Sequence, residues 1–520
     1  MTLCKHDEDA YKIIRNGITG GLSNVMHRVN IKGSTKINKF KWDSEKKQVI
    51  SYDTDNIMTH VLGIDFNSLY PSSYSSNENV NNPYTGGKMF MPGRVLAHVI
   101  TDTNDKKQKA LGVIHSNNRF SEKYGKLFIA EVKGHIPEKY YNDFINFPPI
   151  FRRLNVETNR ETIGDYMYDY MRINQLPHDK KEDKLTMLLS THEQYMSFSS
   201  YYLWFLIDTC HFVIDDIKSI IYFTKHDKFN KFVKTFTNER IKNIGISKGR
   251  ELFCKLCLNG SYGYDAKNTE HYTKSSIKNK NQTYLAQVFN NFVSTRKVSE
   301  DKYVVCYNPK SYKCDTPLQE AYFTLDNAKF WYLNMYYNFL SKCLDMEKIH
   351  FVEGDTDSLY LAIAGNPDEG NDQMFKYVIK DQEFYDNHVY TWLPDPNRDV
   401  YDEKKILGMA VEKFGDNCIA LAPKCYTIWN NNGTTKSLKL KGVSLKKNKI
   451  ISSDYREVIQ KESVKSGRNI SLQLKNGQMS KVFITKNALT MTHTKMICLP
   501  NNSCAPFISG LKADNYKVEY

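Results

Sequence analysis

Ile349-His-Phe-Val-Glu-Gly-Asp355-Thr-Asp357-Ser-Leu-Tyr-Leu-Ala-Ile363 is two apolar runs flanking a turn that carries two carboxylates. Ile349 and Phe351 before the turn, and Leu359, Leu361 and Ile363 after it, recur with a period of two, which predicts a β-hairpin with one face in a core. Residues two apart in an extended segment point the same way, so Asp355 and Asp357 crowd two negative charges at the tip. That is unfavourable unless something positive sits there, and it is the geometry of a metal holder. The tripeptide recurs as Asp53-Thr-Asp55. There Ser51-Tyr52 and Asn56 supply no matched strand pair, so this copy reads as a plain turn, a setting Asp favours for local hydrogen-bonding reasons.

A third carboxylate is predicted on another strand. Val61-Leu-Gly-Ile64 is a short apolar run ending at Asp65, and Asn67-Ser-Leu-Tyr-Pro-Ser72 reads as the start of a helix. Asn67 or Ser68 can cap it, and Pro71 fits an early helical position. The unpaired N–H groups of such a turn suit phosphate oxygens. Further on, a helix is predicted through Lys255-Leu-Cys-Leu-Asn-Gly-Ser-Tyr-Gly263. On a wheel of about 100° per residue, Lys248, Lys255, Asn259 and Tyr262 share one face, while Phe253, Leu256 and Cys257 fall elsewhere and are expected to pack inward. The stripe offers a charge for phosphate, an amide for hydrogen bonding and a ring for base stacking. Gly249 weakens the case for an unbroken helix.

These three segments, in this order, resemble the polymerase motifs of family B DNA polymerases. Asp65 to Ser72 follows the family pattern Asp-x-x-Ser-Leu-Tyr-Pro-Ser throughout. In the second segment Gly260 stands where the family usually has Ser, and in the third Glu353 replaces the usual Tyr. Lys424-Cys-Tyr426 resembles the family's Lys-x-Tyr element, and Lys439-Leu-Lys441-Gly442 follows it. Ile18-Thr-Gly20-Gly21 resembles a Tyr-x-Gly-Gly element with both Gly kept and the Tyr lost. With long spacings of 190 residues from Asp65 to Lys255 and 100 from Lys255 to Asp355, the likeness is greatest to the protein-primed branch of phages, adenoviruses, linear plasmids and Maverick (Polinton) transposons.

The resemblance implies an α+β fold of the right-hand polymerase kind, with an antiparallel palm sheet, helical fingers and a thumb. Laid on the sequence, residues 1–60 lead in and 61–184 form the first palm segment. Residues 185–230 are an insertion, 231–263 the fingers and 264–317 a second insertion. Residues 318–450 complete the palm, with a helix expected from Leu318 to Leu344, and 451–520 form the thumb. His178-Asp-Lys-Lys-Glu-Asp-Lys184 reads as an exposed connector. Only 64 residues precede Asp65, too few for the proofreading exonuclease common in the family, so the expectation is that the chain is a fragment, that the exonuclease is a separate polypeptide, or that it has been lost.

The resemblance also assigns roles. Asp65 and Asp357 would hold two Mg²⁺ ions, for which Mn²⁺ can substitute, roughly 3.5 to 4 Å apart, with Asp355 in support. Lys255, counted with these three as catalytic, would neutralise the incoming triphosphate, with Lys248 in a lesser role. Backbone N–H groups of Phe66, Asn67, Ser68 and Leu69 would bind its oxygens. Tyr70 would lie under the sugar and exclude a 2′-hydroxyl, Asn259 and Tyr262 would line the base pair, and Ser68, Lys424, Tyr426, Lys439 and Lys441 would contact primer and DNA. Partners implied are template-primer DNA and deoxynucleotides, with a terminal protein and a separate exonuclease in addition. The genome copied would be viral, plasmid or transposon. The alternatives are a DNA-binding remnant without catalysis, for which Glu353 and Gly260 speak, and a ribonucleotide-using transcriptase or primase, against which Tyr70 speaks.

Composition fits a nucleic-acid ligand. The formal charge is +14, and Leu421 to Tyr520 holds 17 Lys or Arg against 5 Asp or Glu. A phosphate backbone would be drawn to that fifth of the chain and released by salt. Eleven scattered cysteines suggest reduced thiols and an intracellular location, compartment open. Cys254 and Cys257 read as packing residues, since no second pair follows. His192-Glu193 lacks the second His of a zinc protease, Met196 standing there. The polar start gives no signal peptide, and the apolar run from Tyr201 to Ile207 is too short for a membrane.

Overall fold

The computed structural model describes residues 8–75, 89–268, 273–308, 314, 316–475 and 478–520. The first seven residues and parts of the insertion expected at 264–317 lie outside them. The fold is mixed α and β, with mainly antiparallel sheets.

The predicted hairpin forms: Ile349–Asp355 pairs with Ser358–Ile363 from Ile349↔Ile363 to Asp355↔Ser358. It is the middle of a five-stranded antiparallel sheet in the order Ser23–Val25, Ile349–Asp355, Ser358–Ile363, His60–Asn67, Gly408–Gly415. Both faces are covered, where the sequence suggested one. Ile349, Phe351, Leu359, Leu361 and Ile363 enter the main core. Their neighbours Val352, Tyr360 and Ala362 join a second, smaller core with Val25, Met58 and Ile428. A strand buried on both sides reads as a nearly continuous apolar run, and this one does.

Leu318–Met335 is helical as predicted, continued by a π turn at Tyr336–Leu340 and a short α segment at Ser341–Cys343. It is buried on every side and braces the hairpin, the Tyr332 hydroxyl donating to the Ser358 carbonyl at 3.0 Å. Such enclosure demands partners for its polar groups. Asp326 accepts from Arg152 at 2.7 Å and from the Ser199 N–H at 2.9 Å, and Lys329 donates to Thr19 at 2.8 Å.

Several expected boundaries are crossed. A four-stranded sheet in the order Met196–Ser199, Leu127–His135, Val213–His226, Met91–Ile100 unites residues on both sides of 184/185. The connector expected at His178–Lys184 becomes, from Lys181, a strand paired with Ile150–Glu157, with Glu182 bridging Lys180 and Lys184. Lys274–Lys278, Lys302–Tyr307 and Phe292–Ser299 make a small sheet flanked by Lys280–Gln287 within the second insertion. After helix Ser452–Lys461 and the ribbon Lys465–Lys475/Gln478–Leu489, the chain leaves the expected thumb. The Cys504 backbone N–H donates to the Met26 carbonyl at 2.7 Å, and Tyr516–Glu519 pairs in parallel with Val49–Tyr52. Asp53-Thr-Asp55 lies within strand Gln48–Ile57, not in a turn. No described helix is long and apolar enough to cross a membrane.

Candidate active site

Asp65 sits near the end of His60–Asn67, directly across the ladder from Ser358. The Phe66 N–H donates to the Asp357 carbonyl at 2.8 Å, tying the hairpin tip to that strand. The tip is a two-residue turn in which Thr356 is left-handed, φ 62°. Gly21 lies so close that a Cβ there would come within 2.3 Å of the Thr356 side chain, and the Thr356 N–H donates to the Leu22 carbonyl at 2.5 Å. The Gly pair noted in the sequence therefore seats the N-terminal strand against the tip.

Asp65, Asp355 and Asp357 line one cleft of about 250 Å³ with Glu412, Lys424 and Tyr426, and Lys439 and Lys441 close it. Burial, then Asp357 and Glu412, push the Asp65 carboxyl up to about 8, against the pull of Lys255. Burial and Asp355 push Asp357 up to about 6. Near neutrality Asp65 holds its proton unless a cation offsets the crowding, whereas Asp357 is mostly ionised. Asp355 already has a cation, the Lys424 ammonium at 2.5 Å. Oxygen donors of this kind suit a hard divalent ion, although among the described residues no three His, Cys, Asp or Glu side chains stand in ligating arrangement.

Lys248–Asp265 is one unbroken helix, Gly249 falling in its first turn. Its inward residues are Cys254 and Leu258. Phe253 and Leu256, expected to pack, are 60 % and 61 % exposed, and Cys257 is half-buried. The cause is that its neighbours meet it on the other side: the helix Phe229–Asn243 packs along it near Cys254, and the Tyr74 hydroxyl donates to the Leu258 carbonyl at 2.6 Å. Tyr262 packs on Tyr70 with ring centroids 4.2 Å apart. Lys255 is exposed but close enough to bear on Asp65, whereas Lys248 is exposed at the helix start and Asn259 is half-buried.

Three expectations at the first motif need correcting, and one at Lys424-Cys-Tyr426. Ser68 is left-handed, φ 58°, and its side chain caps nothing. Its Oγ is buried without a partner. Asn67 donates instead to the Lys404 carbonyl at 3.3 Å. The Phe66 N–H, being spent on Asp357, is not free for a phosphate, and the Phe66 and Leu69 side chains are core. Tyr426 is 5 % exposed and shares a 2.8 Å hydroxyl contact with Tyr360, so it backs the cleft.

Sequence reasoning missed Glu412 and Tyr360. The Tyr360 hydroxyl donates to Glu412 at 2.6 Å; burial raises the Glu412 carboxyl, but that bond and Lys413 outweigh it and hold it below the ordinary range. Glu412 is the extra residue of a bulge, Val411 pairing with Ile64 and Lys413 with Gly63. Bulges re-aim side chains and leave no motif. Glu353 is fully buried, and burial pushes its carboxyl well above the usual range, so the acid seen in the sequence adds little charge to the cleft. A second, larger groove of about 830 Å³ shares Lys424 and is lined by Arg153, Lys180, Lys184 and Lys495. The described cysteines are free thiols, Cys254 among the buried ones.

No protein-family model matches the chain, and no curated protein matches it. Solved structures do. Phi29 DNA polymerase with primer-template DNA and incoming nucleotide aligns over 94 % of this chain and 63 % of its own at 14 % identity and TM-score 0.47. The same polymerase with single-stranded DNA aligns over the same shares at 15 % identity and TM-score 0.46. The chain thus spans less than two thirds of the length of that polymerase.

Proposed function

We propose that the protein is a DNA-directed DNA polymerase that adds deoxynucleotides to a primer 3′-hydroxyl. The observation that carries this reading is the meeting of Asp65, Asp355 and Asp357, from two strands 290 residues apart, in one cleft faced by Lys424, Lys439 and Lys441. Phosphoryl transfer asks a protein for positioning and charge neutralisation more than for covalent help. Asp65 and Asp357 are the residues to hold Mg²⁺, with Asp355 and Glu412 beside them; when bound, such ions activate the attacking hydroxyl and neutralise the leaving group. Lys255, over the Asp65 side, neutralises the triphosphate. Tyr70, its ring against Tyr262, sets the floor of the sugar pocket, and the resulting lack of room excludes a 2′-hydroxyl. Lys424 and the basic groove it shares draw the phosphate backbone of primer and template. Protein priming and a viral, plasmid or transposon genome follow from the sequence resemblance.

A second reading, a DNA-binding protein without catalysis, is favoured by the Lys424–Asp355 pair, which occupies a carboxylate the reaction needs. Primer extension with Mg²⁺ decides. The expected result is templated incorporation of deoxynucleotides in preference to ribonucleotides; DNA binding with no incorporation would establish the second reading.

A further inference from the structure

Lys424 is gripped at both ends by alternate residues of one strand. Its ammonium meets Asp355 at 2.5 Å, and its backbone N–H donates to Glu353 Oε2 at 3.3 Å. Ala422 pairs with Cys425, so Pro423 and Lys424 form a two-residue turn. Pro suits the first position of such a turn; the second, with positive φ, usually falls to Gly or Asn. Here Lys424 takes it with φ 67°. A residue bearing a Cβ holds that conformation only when its surroundings impose it. Glu353 imposes it at a cost, because it is 0 % exposed and its Oε1 has no partner. A buried oxygen left unpaired is not retained for stability. Residues 353 and 355 face the same side of Ile349–Asp355, which is why one strand reaches both the turn and the ammonium.

We infer that Glu353 is a positioning residue: its carboxyl oxygen holds the Pro423–Lys424 turn in the left-handed form that delivers the Lys424 ammonium to Asp355 at the reaction cleft. The role of Lys424 in catalysis rests on the polymerase reading; the clamp itself does not. It also accounts for an acid standing where the family resemblance has Tyr, since an acceptor reaching the Lys424 N–H is what the turn requires.

The test reads Lys424 directly. In the wild-type protein the Lys424 amide should exchange slowly with solvent despite lying in a two-residue turn; exchange at the rate of an open loop overturns the clamp. Glu353→Leu removes the acceptor and should speed labelling of Lys424 by an amine-reactive ester about fivefold to tenfold, the range one hydrogen bond commands, while other lysines label as before. Glu353→Gln keeps an acceptor and should match wild type. Unchanged labelling in the Leu variant, or Gln behaving like Leu, overturns the inference. In primer extension the loss of kcat from Glu353→Leu should vanish in a Lys424→Ala background; additive losses would mean that Glu353 acts on something other than Lys424. Absence of extension by the wild type would overturn the polymerase reading, and amide exchange and labelling would still decide the clamp.

Discussion

The chain contains Asp-Thr-Asp twice, and the structure gives the two copies different surroundings. Asp53 and Asp55 project from the middle of strand Gln48–Ile57 into solvent, and Asp53 accepts a 2.9 Å bond from Asn38 on the next strand. Asp355 and Asp357 sit at a hairpin tip, half-buried, with Asp65 on one side and Lys424 on the other. The tripeptide is the same. What differs is the company that other strands bring, and that sets whether a carboxylate is a surface decoration or part of a reactive cleft.

Exchanging the same atom in each copy is the harshest trial of this contrast. Asp357→Asn should lower primer extension by at least about a thousandfold, as loss of a member of a catalytic set does, while DNA binding in a shift assay stays near wild type. Asp55→Asn should leave extension unchanged. Loss of binding with Asp357→Asn would make that site structural, and equal losses from both would erase the contrast. A smaller effect is expected one element away: Tyr70→Ala should lower discrimination against ribonucleotides by about tenfold to a hundredfold, read from competing single-nucleotide incorporation. Unchanged sugar selectivity would remove Tyr70 from the pocket.

Proton linkage sharpens the comparison further. Folding raises the Asp65 and Asp357 carboxyls from an ordinary 3.8 to about 8 and about 6. The folded state therefore binds protons more tightly than the unfolded one, and their contribution to stability falls as pH rises through that window. Thermal melts in chelator should lose a few degrees between pH 5 and pH 8. Mg²⁺ should restore more at the upper end, and Asp65→Asn with Asp357→Asn should flatten the slope. A slope that survives both substitutions would place its origin elsewhere. The smallest effect belongs to the exposed copy: Asp53→Asn should shift unfolding free energy by within about 0.5 kcal/mol, measured by denaturant titration.

Regular periodicity made much of the scaffold legible. Alternation at Ile349–Ile363 gave the hairpin, the run ending at Asp65 gave the neighbouring strand, and Leu318–Leu344 gave the bracing helix. What misled were segments whose state depends on distant chain. Asp53-Thr-Asp55 looked like a turn because a strand paired with Lys36–Asp43 and Tyr516–Glu519 shows its partners only in three dimensions. Phe253 and Leu256 looked like core because apolar side chains usually are, yet the helix Phe229–Asn243 and Tyr74 meet a different side of Lys248–Asp265. At the site, Asp65, Asp355, Asp357 and Lys424 could be named from the sequence, each lying in a recognisable pattern. Glu412 could not, since a bulge turned it toward the cleft. Nor could the burial of Glu353, whose neighbours on the sheet are Val25 and Tyr360 and whose side chain meets the Lys424 turn.

The most direct measurement is anomalous diffraction from crystals grown with Mn²⁺, template-primer and an incoming deoxynucleotide. The expected result is density for Mn²⁺ bound by the carboxylates of Asp65 and Asp357 together, with Asp355 released from Lys424 or adjoining the ion. Metal bound elsewhere, or those two carboxylates held well apart with the nucleotide in place, would contradict nucleotide joining at this cleft.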